Sequence, residues 1–190
     1  MQEEQVHTLI AEVNSGSTAS FAPLVDEYKD MVHSVALKIT ADQELSEEVA
    51  QDTFMKAFKS LKSFKKKSKF STWLYQITYF TAINALRKNK IETVEITYDH
   101  TNTVSENGFD YLEKQERSAV INKAILHLKP QERAVVTLYF MKELNIEEVA
   151  EITKLSKSNV KVTVHRAKKK LHDILAHLLK NEFKSIQHEN

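Results

Sequence analysis

The chain is 190 residues long, carries a net charge of +1 and contains two glycines, two prolines and no cysteine. The missing cysteine excludes disulfides and thiolate zinc sites, and the scarcity of helix breakers favours an all-α protein. No pair of histidines at metal-ligand spacing also has a carboxylate partner, and no apolar stretch reaches transmembrane length. We therefore expect no metal, no cofactor and a cytoplasmic protein without direct membrane insertion.

Four helices are predicted in the first half of the chain. Apolar residues at helical spacing mark a short helix near the start and a long second helix with Pro23 in its first turn. Asp42 can cap the third helix with its side chain. A lysine-rich loop at residues 63–69 then leads into a fourth helix, predicted to run from about Ser71 to Lys88.

The periodicity is lost at about residue 90 and returns at about residue 112. The intervening stretch is acidic, rich in Thr and Asn, and contains Gly108, which is typical of a linker. Helical spacing then resumes, and Pro130 is placed to begin a further helix. We therefore predict two small helical domains, residues 1–90 and 112–190, joined by an acidic linker at residues 91–111.

The charges are segregated along the chain although their sum is small. Residues 53–91 carry ten basic residues and no acidic one, and residues 152–172 carry seven basic residues and no acidic one. Residues 1–55, by contrast, carry eleven acidic and two basic residues. Any single run can be a solvated helix face, but two acid-free basic blocks on patterned helices favour binding to nucleic acid.

Residues 146–171 form the most informative stretch. A short helix at residues 146–153 is followed by a turn at Lys154-Leu155 and by Ser156, which is placed to cap a longer helix. The second helix has one apolar face and one basic face. A short helix, a tight turn and a basic helix predict a helix-turn-helix, whose second helix lies in the major groove of DNA. A left-handed conformation at Lys154 would cost about 1 kcal/mol.

Two further segments make the pattern recognisable as that of a known family. Residues 128–136, Leu-Lys-Pro-Gln-Glu-Arg-Ala-Val-Val, together with the helix-turn-helix, resemble region 4 of a bacterial sigma factor. Residues 47–58, Glu-Glu-Val-Ala-Gln-Asp-Thr-Phe-Met-Lys-Ala-Phe, and residues 70–77, Phe-Ser-Thr-Trp-Leu-Tyr-Gln-Ile, resemble sigma region 2. Both regions in this order in a short chain resemble the extracytoplasmic-function (ECF) group of the sigma-70 family.

The resemblance implies a promoter-specificity subunit that is not an enzyme. Its implied partners are core RNA polymerase, through the β′ clamp helices and the β flap, promoter DNA and an anti-sigma factor. The polymerase-binding candidates are Glu48, Gln51 and Asp52, whose carboxylates can bind arginine on a partner helix. An ordinary solvated helix face is the alternative for these residues, and an acid/base pair is disfavoured because no histidine or aromatic lid lies nearby in the sequence.

The lysine-rich loop and the fourth helix correspond to the part of the family that opens and binds the -10 promoter element. Aromatic rings can stack on unpaired bases, and lysines can bind phosphates. The candidates are Phe64, Lys66, Phe70, Trp73, Gln76, Tyr79, Phe80, Ile83, Asn84 and Arg87. Trp73 also shares the apolar phase of its helix and can be a core residue. Many relatives have Arg-Asn in place of Tyr79-Phe80, which favours stacking over hydrogen bonding here.

The basic helix of the helix-turn-helix supplies candidates for contact with the -35 element. They are Lys157, Ser158, Asn159, Lys161, Val162, His165, Arg166 and Lys169. Lysine and arginine can bind guanine edges, and Val162 can touch a thymine methyl group. Thr163 stands where relatives commonly carry a basic residue. The alternative function is a stand-alone helix-turn-helix regulator that binds duplex DNA without polymerase, but such a protein has no need for the lysine and aromatic block.

Overall fold

The computed structural model describes residues 1–89 and 114–188, with side chains for residues 1–88 and 118–178. Within these ranges the chain forms eight α-helices and no strand, which confirms the all-α prediction. The helices are α1 (Glu3–Asn14), α2 (Ala22–Thr40), α3 (Gln43–Ser60), α4 (Phe70–Asn89), α5 (Lys114–Leu126), α6 (Pro130–Val136), α7 (Ile146–Thr153) and α8 (Lys157–His188). The predicted linker at residues 91–111 lies outside the described residues.

The amino-terminal half consists of α2, α3 and α4 packed together, with α1 in contact with α2 and with the turn at Leu61–Ser63. The predicted cap of α3 is confirmed, because Asp42 Oδ1 accepts a hydrogen bond of 2.8 Å from the backbone N–H of Leu45. α2 ends at Ala41, which has a left-handed backbone conformation with φ of 60°. The buried side chains of Leu24 and Leu74 belong to the core of this half.

The carboxy-terminal half contains α5 to α8. Pro130 occupies the start of α6, as predicted, where its missing N–H costs nothing. A π-helical turn at Thr137–Met141 then redirects the chain towards α7. A small core of Ile125, Leu128, Val136 and Ala167 holds α5, α6 and α8 together.

The two halves are joined by a core that both of them build. Val35 and Ile39 of α2 and Tyr79 of α4 lie in one apolar cluster with Leu138 and Ile152 of the other half. Full burial of a side chain such as Leu or Ile contributes about 1.5–3 kcal/mol, so this contact is a substantial part of the fold. The prediction of two domains on a tether did not include this contact.

Candidate nucleic-acid interface

The helix-turn-helix begins with a pair of reciprocal caps at the start of α7. Asn145 Oδ1 accepts a hydrogen bond of 2.9 Å from the N–H of Glu148, and Glu148 Oε2 accepts one of 2.8 Å from the N–H of Asn145. This arrangement satisfies two backbone donors that a helix start would otherwise leave without partners. The caps therefore fix where the short helix begins, and with it the entry to the turn.

The turn between α7 and α8 lies where the sequence predicts it. Lys154 adopts a left-handed conformation with φ of 57° and ψ of 23°, and it ends α7. Ser156 Oγ accepts a hydrogen bond of 3.2 Å from the N–H of Asn159 and so caps α8. Val149, Ile152 and Val160 are fully buried and fix the angle between the two helices through side-chain packing.

The outer face of α8 presents all eight of the predicted -35 residues to solvent. The exposed residues are Lys157, Ser158, Asn159, Lys161, Val162, His165, Arg166 and Lys169. Val162 stands out among them because an aliphatic side chain is 43% exposed between basic neighbours. The opposite face of the same helix is buried through Val160 and Ala167. α8 is therefore anchored on its apolar side, and its basic side is open.

Two lysines of α8 are engaged by carboxylates of the same half. Lys157 Nζ lies 3.0 Å from Glu147 Oε1, and the hydrogen bond from Lys157 lowers the pKa of Glu147, with a further contribution from the charge of Lys161. Both partners are exposed, so DNA phosphates can compete for Lys157. Lys170 Nζ lies 2.6 Å from Glu132 Oε1, which is largely covered, and this pair joins α8 to α6.

The structure corrects the placement of two predicted stacking residues. Phe64 and Phe70 are 8% and 2% exposed, and their ring centroids lie 5.5 Å apart in the core. Phe64 is buried because the chain folds back after Ser63 and brings its ring near His7 of α1. Phe70 lies against Tyr28, with ring centroids 5.3 Å apart. Neither ring is available for a base in this conformation.

Trp73 packs against the same aromatic cluster but stays half-buried. Its ring centroid lies 5.4 Å from that of Phe64 and 5.5 Å from that of Phe70. The lysines of the loop, by contrast, are exposed, and Lys66 has a left-handed backbone with φ of 55°. The aromatic residues of this block therefore form the support, and the lysines form the surface.

The remaining -10 candidates on α4 differ in their exposure to solvent. Phe80, Asn84 and Arg87 are exposed at spacings of four and three residues, so they form one row along the helix. Gln76 and Ile83 are half-buried and Tyr79 is 4% exposed. Burial raises the pKa of Tyr79, although a hydrogen bond with Gln131 and the charge of Arg87 oppose this shift.

The acidic candidates of α3 are all exposed. Glu48, Gln51 and Asp52 point away from the core that Val49 and Thr53 enter. Asp52 Oδ2 lies 3.4 Å from Lys56 Nζ, and Lys56 also donates a hydrogen bond of 3.2 Å to Thr81 Oγ1 of α4. This acidic row on the exposed side of α3 is thus available to a basic partner surface.

Sequence comparisons identify both halves. The profile of Sigma-70 region 2 matches residues 24–91, and that of Sigma-70 region 4 matches residues 118–171. RNA polymerase sigma factor YlaC of Bacillus subtilis is 35% identical over 155 residues, which cover 80% of this chain and 90% of YlaC. ECF RNA polymerase sigma factor SigM of the same organism is 32% identical, over 76% of this chain and 88% of SigM. The chain belongs to the ECF sigma factors.

The fold of this sigma factor is similar to that of a solved relative. The sigma factor RpoE from Bartonella quintana, in complex with the anti-sigma factor NepR, matches with a TM-score of 0.64 at 23% identity, over 82% of this chain and 96% of RpoE. None of the helices in the described ranges combines the length and apolarity that a membrane crossing requires. The described residues also bring together no group of three acidic, histidine or cysteine side chains that could hold a metal ion.

Arg133 of α6 is a residue whose importance the sequence did not reveal. It is 7% exposed, and its Nη2 donates a hydrogen bond of 2.7 Å to the carbonyl oxygen of Ile39 in the other half. Its Nη1 donates one of 3.2 Å to the carbonyl of Leu126. The available signal was a charged residue directly before the apolar run at residues 134–136, but a solvated arginine gives the same pattern.

Proposed function

We propose that this sigma factor binds core RNA polymerase, directs it to promoters with two specific DNA elements and stabilises the separated strands, without covalent chemistry of its own. It acts where the polymerase is, in the cytoplasm. The observation that carries the proposal is that one chain exposes both a basic and an acidic surface. The basic row of α8 consists of the exposed residues Lys157, Lys161, Arg166 and Lys169, and the acidic row of α3 includes Glu48 and Asp52. A stand-alone duplex binder needs the first row but not the second.

The basic row of α8 is the proposed reader of the -35 element. Lys161 and Arg166 lie on the outer face of the recognition helix, where a side chain entering the major groove can bind guanine edges. Val162 lies between them and is exposed enough to contact a thymine methyl group. Each good base contact contributes about 1–3 kcal/mol of discrimination.

The row Phe80, Asn84 and Arg87 on α4 is the proposed surface for the -10 element. Phe80 can stack on an unpaired base, Asn84 can hydrogen-bond a base edge and Arg87 can bind a phosphate. Lys66 in the preceding loop extends this surface towards the phosphate backbone. The buried rings of Phe64 and Phe70 hold the loop and the helix in place and are not part of the contact surface.

The acidic row of α3 is the proposed contact with core polymerase. Carboxylates of Glu48 and Asp52 can form charge-assisted hydrogen bonds with arginines of the β′ clamp helices. The β flap is the proposed polymerase contact of region 4. We also propose an anti-sigma protein as a regulatory partner, which membership of the ECF group supports.

The test is transcription with the reconstituted holoenzyme on promoters that it selects from a random library. Lys161→Ala combined with Arg166→Ala should reduce transcription by about thirtyfold or more, since two base contacts of about 1–3 kcal/mol each are removed and every 1.4 kcal/mol is about tenfold. Capture of core polymerase by the variant should be unchanged. Lys29→Ala, an exposed lysine paired with Asp26 on α2, is the matched control.

Two results would contradict the proposal. If the purified chain fails to capture core polymerase at all, it is a duplex-binding regulator and not a polymerase subunit. If the double variant loses polymerase capture together with transcription, the assignment of α8 to DNA is wrong. A promoter with a scrambled upstream element gives a further check, because wild type and variant should transcribe it equally.

A further inference from the structure

We propose that Glu147 of α7 is a specificity-determining residue, which holds Lys157 at the start of the recognition helix and so keeps this lysine from binding the phosphates of DNA without a -35 element. This inference rests on the proposed function of α8. It adds to that function a residue that weakens the wrong complex, as distinct from another contact in the right one.

The pair of Glu147 and Lys157 lies across the turn of the helix-turn-helix. Glu147 is in the first turn of α7, and Lys157 is the first residue of α8. Lys157 Nζ lies 3.0 Å from Glu147 Oε1, and the two side chains are 63% and 61% exposed. Lys161, one turn further along α8, also acts on the carboxylate through its charge. Glu147 is thus placed beside the first two turns of the recognition helix.

The place of this pair on DNA follows from how a helix-turn-helix docks. The first helix crosses the phosphate backbone, and the amino-terminal residues of the second helix contact base edges in the major groove. Glu147 on α7 and Lys157 on α8 therefore lie at the boundary between phosphates and bases. A carboxylate at this boundary is repelled by phosphates, so it opposes any complex that is held by the DNA backbone alone.

The ion pair leaves Lys157 able to bind a base but removes most of its value for a phosphate. An ammonium group has three donors, so a lysine that donates one hydrogen bond to Glu147 can donate two more to the N7 and O6 acceptors of a guanine. On DNA without the element, a lysine contributes mainly by neutralising a phosphate, and Lys157 is already neutralised by Glu147. Loss of the carboxylate should therefore strengthen the wrong complex more than the right one.

The helix dipole is a local reason for a glutamate in the first turn of α7, because a carboxylate there compensates the positive end of the helix. Glu148 already supplies such a carboxylate and caps the helix through the N–H of Asn145. The pKa of Glu147 is lowered first by the hydrogen bond from Lys157 and then by one from its own backbone N–H. The main interaction of the Glu147 carboxylate is therefore with α8 and not with its own helix.

Competition between a selected promoter and other DNA tests this inference in the reconstituted holoenzyme. The measured quantity is the concentration of a duplex with scrambled elements that halves transcription. Glu147→Gln removes the charge and keeps the size of the side chain, so this concentration should fall by about twofold to fivefold, the range for release of an exposed ion pair. The fall should shrink as salt rises, since the freed lysine releases about one more counterion from the competitor.

Glu151→Gln is the matched control, because Glu151 is exposed on the same helix one turn further along. It changes the net charge by the same amount and leaves the pair of Glu147 and Lys157 in place. A double-mutant cycle supplies the second control. In the Lys157→Ala background, Glu147→Gln should have no further effect on competition, because the lysine on which it acts is gone.

An unchanged competition with Glu147→Gln, or an equal change with Glu151→Gln, would overturn the inference, the second because it would show a general effect of charge. An undiminished effect of Glu147→Gln in the Lys157→Ala background would overturn it as well. These results leave the proposed function standing, since Lys161→Ala with Arg166→Ala tests that function on the same promoter. If that double variant transcribes like the wild type, the role of α8 in DNA binding fails and this inference fails with it.

Discussion

Replacement of Arg133 by methionine is the sharpest test of how the two halves are held together. Methionine keeps much of the apolar stem of the arginine and removes its donors. The native guanidinium donates to the carbonyl oxygens of Ile39 at 2.7 Å and of Leu126 at 3.2 Å. These carbonyls belong to the last turns of α2 and α5, where a positive charge also compensates the helix dipoles.

The expected loss of stability follows from the number and burial of these bonds. A hydrogen bond to a charged group contributes about 1.5–3 kcal/mol, so two of them give about 3–6 kcal/mol. The desolvation that lowers the pKa of Arg133 offsets part of this sum, because the variant no longer buries a charge. We therefore expect Arg133→Met to lower the free energy of unfolding by about 2–4 kcal/mol.

Urea denaturation followed by circular dichroism measures this change as a shift of the midpoint at constant slope. Arg166→Met, at an exposed position on α8, is the matched control and should change stability by less than about 0.5 kcal/mol. If the free energy of unfolding of Arg133→Met differs from that of the wild type by less than about 0.5 kcal/mol, the reasoning is refuted. It would mean that the buried charge costs as much as its hydrogen bonds return.

Three further substitutions test separate parts of the molecule. Asp52→Lys should abolish capture of core polymerase. The variant should still unfold at nearly the wild-type urea midpoint, because the ion pair of Asp52 with Lys56 is exposed and contributes at most about 1 kcal/mol. Normal capture of polymerase would show that α3 is not part of the interface. Lys154→Gly should raise the free energy of unfolding by about 1 kcal/mol, measured by urea denaturation, because a φ of 57° strains a residue with a side chain but not glycine. A lower free energy of unfolding in the variant would contradict this prediction. Burial raises the pKa of Tyr75 to about 12, whereas the ordinary pKa of the side chain in the unfolded chain is 10.0. The unfolded state therefore loses its proton first, and the free energy of unfolding should fall between pH 10 and 12, less steeply in Tyr75→Phe. Equal pH profiles of the two proteins would refute this prediction.

The local structure was predictable wherever neighbouring residues decide it. Asp42 and Ser156 cap their helices because a side-chain oxygen lies within reach of a free backbone N–H of the same segment. Lys154 takes the left-handed conformation at the end of α7, which is a common way for a helix to end before a tight turn. The exposed basic row of α8 follows from helical spacing alone, once the opposite face is known to be apolar.

Residues whose environment is set by distant parts of the chain were not predictable in the same way. Phe64 lies in a loop without periodicity, and only the fold-back onto α1 shows that its ring is buried. Tyr79 lies on a helix with apolar residues on several sides, so spacing cannot tell which side faces the other half. The predicted acidic linker at residues 91–111 lies outside the described residues and stays a prediction.

The composition of α4 explains why both halves of the chain pack against it. A helix that is apolar around most of its circumference must be covered on most sides to be stable in water. One side of α4 faces the core of its own half through Leu74, and another is covered by region 4 around Tyr79. Region 4 therefore covers apolar surface of α4 that would otherwise face water.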